Sequence, residues 1–200
     1  MRYRTATPPP PPLYASRHSS CKDIELTHDH HDHDEHDHDE HDHHDHAIPT
    51  LDAAQHRQEA VALFNLVWEY LGEKSRTPED DNQMTHAAHA SRWHWSHGGD
   101  AAGPEQLAVG EWQCSRVYSV LGRGEPALHH ARAALRICEE SDLGDWVLAA
   151  AYEAQARASA VAGDSDAARE WLARARAATA EIEDPEDRVV IEADLATIAV

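Results

Sequence analysis

The chain has 200 residues, 41% of them hydrophobic, and a formal net charge of −20. That length allows one ordinary domain plus a tail. The acidity argues against nucleic acid and anionic membrane surfaces, and favours metal cations or a basic partner.

Residues 1–27 open with Pro8–Pro12, a polyproline II run that makes no internal hydrogen bonds and buries nothing. They are expected to form a disordered leader. No apolar run follows the basic residues Arg2 and Arg4, so no secretory signal is expected and the chain is assigned to the cytoplasm. Residues 28–46 consist only of His, Asp and Glu. Ten imidazoles, on His28, His30, His31, His33, His36, His38, His41, His43, His44 and His46, are interleaved with nine carboxylates. Such a tract cannot offset its ordering entropy, but it offers many overlapping ligand sets for divalent Zn, Ni, Co or Cu. Residues 1–47 therefore read as a tail, and 48–200 as the folded domain.

Seven helices are expected in the domain. The first runs over about Leu51–Glu73, capped by Thr50, with the stripe Ala54, Val61, Phe64, Trp68 and Leu71. Thr77-Pro78-Glu79-Asp80-Asp81 starts the second, with a capping hydroxyl, a first-turn proline and acids on the positive end of the dipole. It reaches about Ser96, where Gly98-Gly99 breaks it. The third covers about Pro104–Leu121, and Pro126 starts the fourth, which ends near Ser141. Asp145 caps the fifth, which ends at Gly163; Asp164 or Ser165 caps the sixth; the seventh covers about Pro185–Ile198. No segment alternates with period two for long enough to be a strand, so the expected fold is all-α.

Glu111–Leu135 reads as helix, glycine turn, helix, and a weaker copy follows. Gly122 matches Gly163, Ala127 matches Ala168 and Ala134 matches Ala175, with Trp112 falling opposite Glu153, 41 residues on. These hairpins resemble tetratricopeptide-type repeats: Tyr118, Gly122, Ala127, Ala134 and Leu135 in the first unit, and Gly163, Ala168, Leu172 and Ala175 in the second, carry the likeness. Ser159 departs from it, since the motif prefers an aromatic there, and the spacing exceeds the usual ~34 residues. The chain is also similar to a group of uncharacterised bacterial helical-repeat proteins through EDDNQMTHAAHASRWHW and GEWQCSRVYSVLGRGEPALHHARAAL. The resemblance implies an array of antiparallel helical hairpins with a concave face lined by the first helix of each.

Four constellations are candidates for function. On the second helix, Met84, Ala87, Ala88, Ser91 and Trp95 share one face, and His86, His89, Trp93 and His97 the other. His86 and His89 are spaced to share a metal, with Asp81, Glu111, His129 or His130 as a third ligand. Glu111 sits within the stripe Leu107, Cys114, Tyr118 and Leu121, and needs a partner such as Arg92 or Arg132. Cys114 and Cys138 fall on apolar faces and read as buried free thiols. The resemblance places Trp112, Arg116, Glu153 and Arg157 on the concave surface, where an exposed indole beside two guanidinium groups suits a carboxylate-bearing ligand such as a peptide C-terminus. No nucleophile elbow, phosphate loop or HExxH is present. The chain is expected to be a protein- or peptide-binding module with a metal-binding tail. The alternatives are a metal-handling protein or metalloenzyme using the second-helix histidines, and a structural member of a larger assembly.

Overall fold

The computed structural model describes residues 51–200; the proline run and the His/Asp tract lie outside the described residues. The described chain is all-α. Its helices are α1 (Ala53–Gly72), α2 (Pro78–Trp95), α3 (Pro104–Val120), α4 (Gly124–Glu140), α5 (Asp145–Val161), α6 (Ser165–Ala180) and α7 (Pro185–Leu195), with a 3-10 turn at Gly99–Ala101. No described helix is long and apolar enough to cross a membrane.

Local chemistry sets most of the helix boundaries. Thr77 and Asp80 form a reciprocal capping box at α2, and Asp164 caps α6 through the Ala167 amide. Thr50, the expected cap of α1, lies outside the described residues. The cap observed is Asp52, which forms a capping box with Gln55 because its carboxylate reaches the orphan amide of the first turn. Asp145 departs from expectation. It stands at φ 51 after the N-cap Gly144, and its side chain accepts from the Glu183 amide instead of capping α5.

Each helix packs on the next, and α5 also packs on both α3 and α7, which makes these three an inner row. The outer helices α4 and α6 both pack on α5 and scarcely on each other. Ala149, Ala150, Ala151, Ala154, Ala156 and Ala158 are buried on α5, and their small side chains let neighbours approach from several sides. The repeat seen in sequence is a repeat in structure. Ala127 and Ala168 are both fully buried, and Gly122 and Gly163 take φ of 71° and 85° at the C-termini of α3 and α5. There the left-handed turn is closed by the Arg123 amide donating to the Tyr118 carbonyl, and by the Asp164 amide donating to the Ser159 carbonyl.

Helix α3 does not have the simple stripe expected of it. Leu107 and Leu121 are only partly buried, whereas Val109, Trp112, Gln113, Arg116 and Val117 are buried. The helix is covered by α2, α4 and α5, so polar residues that find partners share its core with apolar ones.

Candidate functional site

Helix α3 carries two polar assemblies on different sides. The inner one centres on Glu153 of α5, which is 1% exposed. Glu153 Oε2 accepts from Trp112 Nε1 at 3.1 Å, while Oε1 accepts from Arg116 Nη1 at 3.0 Å and from Arg157 Nε at 2.6 Å. Arg116 Nη2 donates to Asp194 Oδ1 of α7. Arg157 Nη2 donates to the Asp194 carbonyl and to Thr197 Oγ1, both at 2.8 Å. The structure thus brings Trp112, Arg116, Glu153 and Arg157 together. It corrects the expectation that Trp112 and Arg116 are exposed: they are 2% and 6% exposed. The reason is α7, which packs on α5 and supplies Asp194, so the chain matches both guanidinium groups with carboxylates of its own.

The two carboxylates of this junction differ. Burial pushes both upward in pKa. At Glu153 the charges of Arg157 and Arg116, with the Trp112 hydrogen bond, outweigh burial and hold the carboxyl below its ordinary range. Asp194 receives one guanidinium nitrogen, and its Oδ2 is buried without a partner among the described residues, so burial wins and its carboxyl is raised.

The second assembly fills the groove between α2 and α4, above α3. Glu111 accepts from Arg92 Nε at 2.9 Å and pairs with His130 Nδ1 at 2.6 Å. The partner is therefore Arg92, as expected, joined by His130; Arg132 is exposed elsewhere on α4. Burial raises the Glu111 carboxyl, but the His130 hydrogen bond and the Arg92 charge outweigh it and hold the group low. The Tyr118 ring stacks on His130 at 5.5 Å, and its hydroxyl meets His89 Nε2 at 2.8 Å. Burial, followed by the charge of His130, keeps the His89 pKa below its ordinary value.

His89 is thus engaged by a tyrosine, and His86 is exposed. Of the third-ligand candidates, Asp81 is engaged by Arg76, and Glu111 and His130 by one another, while His129 is exposed and makes only a ring contact with His130. Among the described residues, no group of three or more His, Cys, Asp or Glu side chains is placed to hold a metal ion. A ring cluster that sequence reading missed lies at the other end of α2. His56 of α1 shares a hydrogen bond with His94, Nδ1 to Nδ1 at 2.9 Å, and stacks on His97 at 5.1 Å beside the exposed Trp93. Burial, then the His56 charge, lowers the His94 pKa. Cys114 and Cys138 are buried free thiols as expected, and burial pushes Cys138 up to about 11.

The groove above α5, between α4 and α6, is the counterpart of the Tyr118 groove, and it is open. It forms a cleft of about 420 Å³ lined by Leu128, Arg132, Leu135, Arg136 and Glu139 of α4, Gln155 and Ser159 of α5, and Trp171 of α6. At the repeat offset Ser159 takes the place of Tyr118, Gln155 that of Cys114, and Trp171 that of His130. The ring that fills the first groove is missing from the second. Gln155 and Ser159, each 3% exposed, form the floor, and their side chains have no hydrogen-bond partner among the described residues.

No family model, no curated protein and no solved structure matches this chain.

Proposed function

We propose that residues 48–200 form a tetratricopeptide-like interaction module for a protein or peptide partner, and that residues 28–46 bind divalent transition metals. The observation that supports the first part is the open cleft between α4 and α6, set in an array whose matching groove is filled by the chain's own Tyr118. An α-helical array supplies a rigid frame, and recognition needs such a frame plus a concavity with a few unmatched polar groups. The test is selection of a random peptide pool on the immobilised full-length chain. Enrichment of one sequence class is the expected result; recovery no different from that on an unrelated helical protein overturns the reading.

The density of imidazole and carboxylate in the tract supports the second part. Zn²⁺ or Ni²⁺ should bind in several equivalents and be released below about pH 6, since protonated imidazole cannot ligate. Isothermal titration of the full chain against a variant lacking residues 28–46 checks this. Equal metal uptake by the two proteins would remove the tract from consideration.

A further inference from the structure

We propose that the cleft between α4 and α6 receives an aromatic, hydroxyl-bearing side chain of a partner segment rich in carboxylates, a tyrosine with acidic neighbours. This inference rests on the interaction-module reading and names its ligand. Four observations carry it.

The first is the internal precedent. In the groove above α3, a tyrosine ring occupies this volume and stacks on the α4 residue at the position of Trp171. Ser159 replaces that tyrosine in the second hairpin, so the wall remains while the ring is absent. The second is the floor. Gln155 and Ser159 are buried and offer an amide and a hydroxyl to the cleft with no partner among the described residues. Neither side chain is among the buried polar groups left without a partner, so their polar atoms open into the cleft. A ligand hydroxyl that donates to the Gln155 side-chain carbonyl oxygen and accepts from its NH₂ group or the Ser159 hydroxyl would take the place of solvent there.

The third is the wall. Trp171 stacks on Tyr152 at 5.8 Å and carries the Arg174 guanidinium 4.5 Å from its ring centroid, so it is held in place, and Leu128 and Leu135 complete an apolar lining. A held aromatic wall favours a planar side chain over a flexible one. The fourth is the rim. Arg132 is exposed and has no ion partner among the described residues, and Arg136 makes only a 3.9 Å contact with Glu140. Two loosely committed guanidinium groups on an otherwise acidic domain select for carboxylates flanking the aromatic residue, with Glu139 limiting the excess positive charge.

The test uses the full-length chain labelled with ¹⁵N and two probes, acetyl-Glu-Tyr-Glu-amide and acetyl-Glu-Ala-Glu-amide. The tyrosine peptide should shift the Gln155 side-chain amide and Trp171 indole resonances, and the alanine peptide should leave them in place. Ser159→Tyr, which rebuilds the first groove in the second, should abolish those shifts. The exposed double change Arg132→Glu, Arg136→Glu keeps the fold and should weaken the tyrosine peptide severalfold. If the tyrosine peptide moves no cleft resonance at millimolar concentration, or if Ser159→Tyr binds it unchanged, the cleft is not the site. Pool-selected peptides that bind and shift resonances elsewhere would overturn this inference alone. Failure of the pool to enrich any peptide would overturn the interaction module as well.

Discussion

Hairpin α3–α4 and hairpin α5–α6 share a backbone frame and differ in what occupies the groove beside their first helix. Both first helices end in a left-handed glycine, and both hairpins bury the same alanine positions. In the first hairpin the groove holds Tyr118, His130, Glu111 and His89, joined by hydrogen bonds and ring contacts. In the second the corresponding positions hold Ser159, Trp171 and Tyr152, and a cleft remains. The frame is set by small residues and turn chemistry, which both copies keep. The groove is set by a few large or polar side chains, which diverge without disturbing the frame. Recognition can therefore change in one repeat while stability is maintained by the other.

The largest expected effect falls where the two hairpins are tied together. Glu153 of the second hairpin takes hydrogen bonds from Trp112 and Arg116 of the first as well as from Arg157. Glu153→Gln leaves the buried Arg116 with only the Asp194 carboxylate and the partly buried Arg157 with no carboxylate, and should cost about 3–5 kcal/mol of unfolding free energy. Asp194→Asn should cost less, since Arg116 keeps Glu153 and the Asp194 carboxyl is already raised by burial. Urea unfolding of both variants decides it, and equal losses would mean that the junction is not centred on Glu153.

Exchanging the groove residues tests whether the frames are equivalent. Tyr118→Ser should open the first groove and cost roughly 2–3 kcal/mol, because Tyr118 is only partly buried and fully buried aromatics lose more. Ser159→Tyr enters space that already exists and should change stability by no more than about 1 kcal/mol. A Ser159→Tyr protein that fails to fold would show that the second frame cannot hold the ring.

Much of the frame was legible in the sequence, because its signals are local. Gly122, Gly163, the Thr77 cap and the buried face Met84, Ala87, Ala88, Ser91 and Trp95 each follow from turn or helix periodicity. The exposure of Trp112 and Arg116 was misread, because α7 lies far along the chain and nothing local announces that Asp194 will meet Arg116. The face of α3 was misread because a helix covered on most sides has no single apolar stripe. His56 was missed for a related reason: its partners His94 and His97 come from another helix. The cleft did leave a signal. Ser159 stands where the repeat prefers an aromatic, and carrying the repeat offset through both hairpins sets Ser159 and Gln155 opposite Tyr118 and Cys114.

A pH experiment separates the halves further. Every described histidine lies in α1–α4 or the turn after α2, and none in α5–α7. Burial holds His89 and His94 below their ordinary pKa, so the native state takes up protons less readily than the unfolded chain. Their contribution is fully present above the ordinary value of about 6.5, and is lost as pH falls below it toward the native values. Amide protection in α1–α4 should therefore decline between pH 7 and 5 before that in α5–α6, and the change His89→Gln, His94→Gln should flatten the slope. Native-state hydrogen exchange at the two pH values is the measurement, and a uniform loss along the chain would contradict the assignment.

The smallest effect, that of Asp142→Gly, concerns the ends of the helices. Helices α3, α4 and α5 close with the same backbone turn, in which the residue two beyond the last helical position is left-handed. That residue is Gly122 after α3, Asp142 after α4 and Gly163 after α5. The amide that follows donates to a carbonyl in the last turn in each case, Arg123 to Tyr118, Leu143 to Cys138 and Asp164 to Ser159. Only the α4 turn uses a residue with a side chain at a φ of 51°, and a left-handed Asp is strained relative to Gly by roughly 1 kcal/mol. Glycine in turn loses more entropy on folding, which returns part of that gain. Asp142→Gly should therefore stabilise the protein by about 0.5 kcal/mol, whereas Gly122→Val should destabilise it by roughly 1–3 kcal/mol through the same φ. Thermal unfolding of the two variants should move in opposite directions. If Asp142→Gly lowers the melting temperature, the aspartate contributes at this turn beyond tolerating its backbone, and the first hairpin ends by a different device from the helices on either side of it.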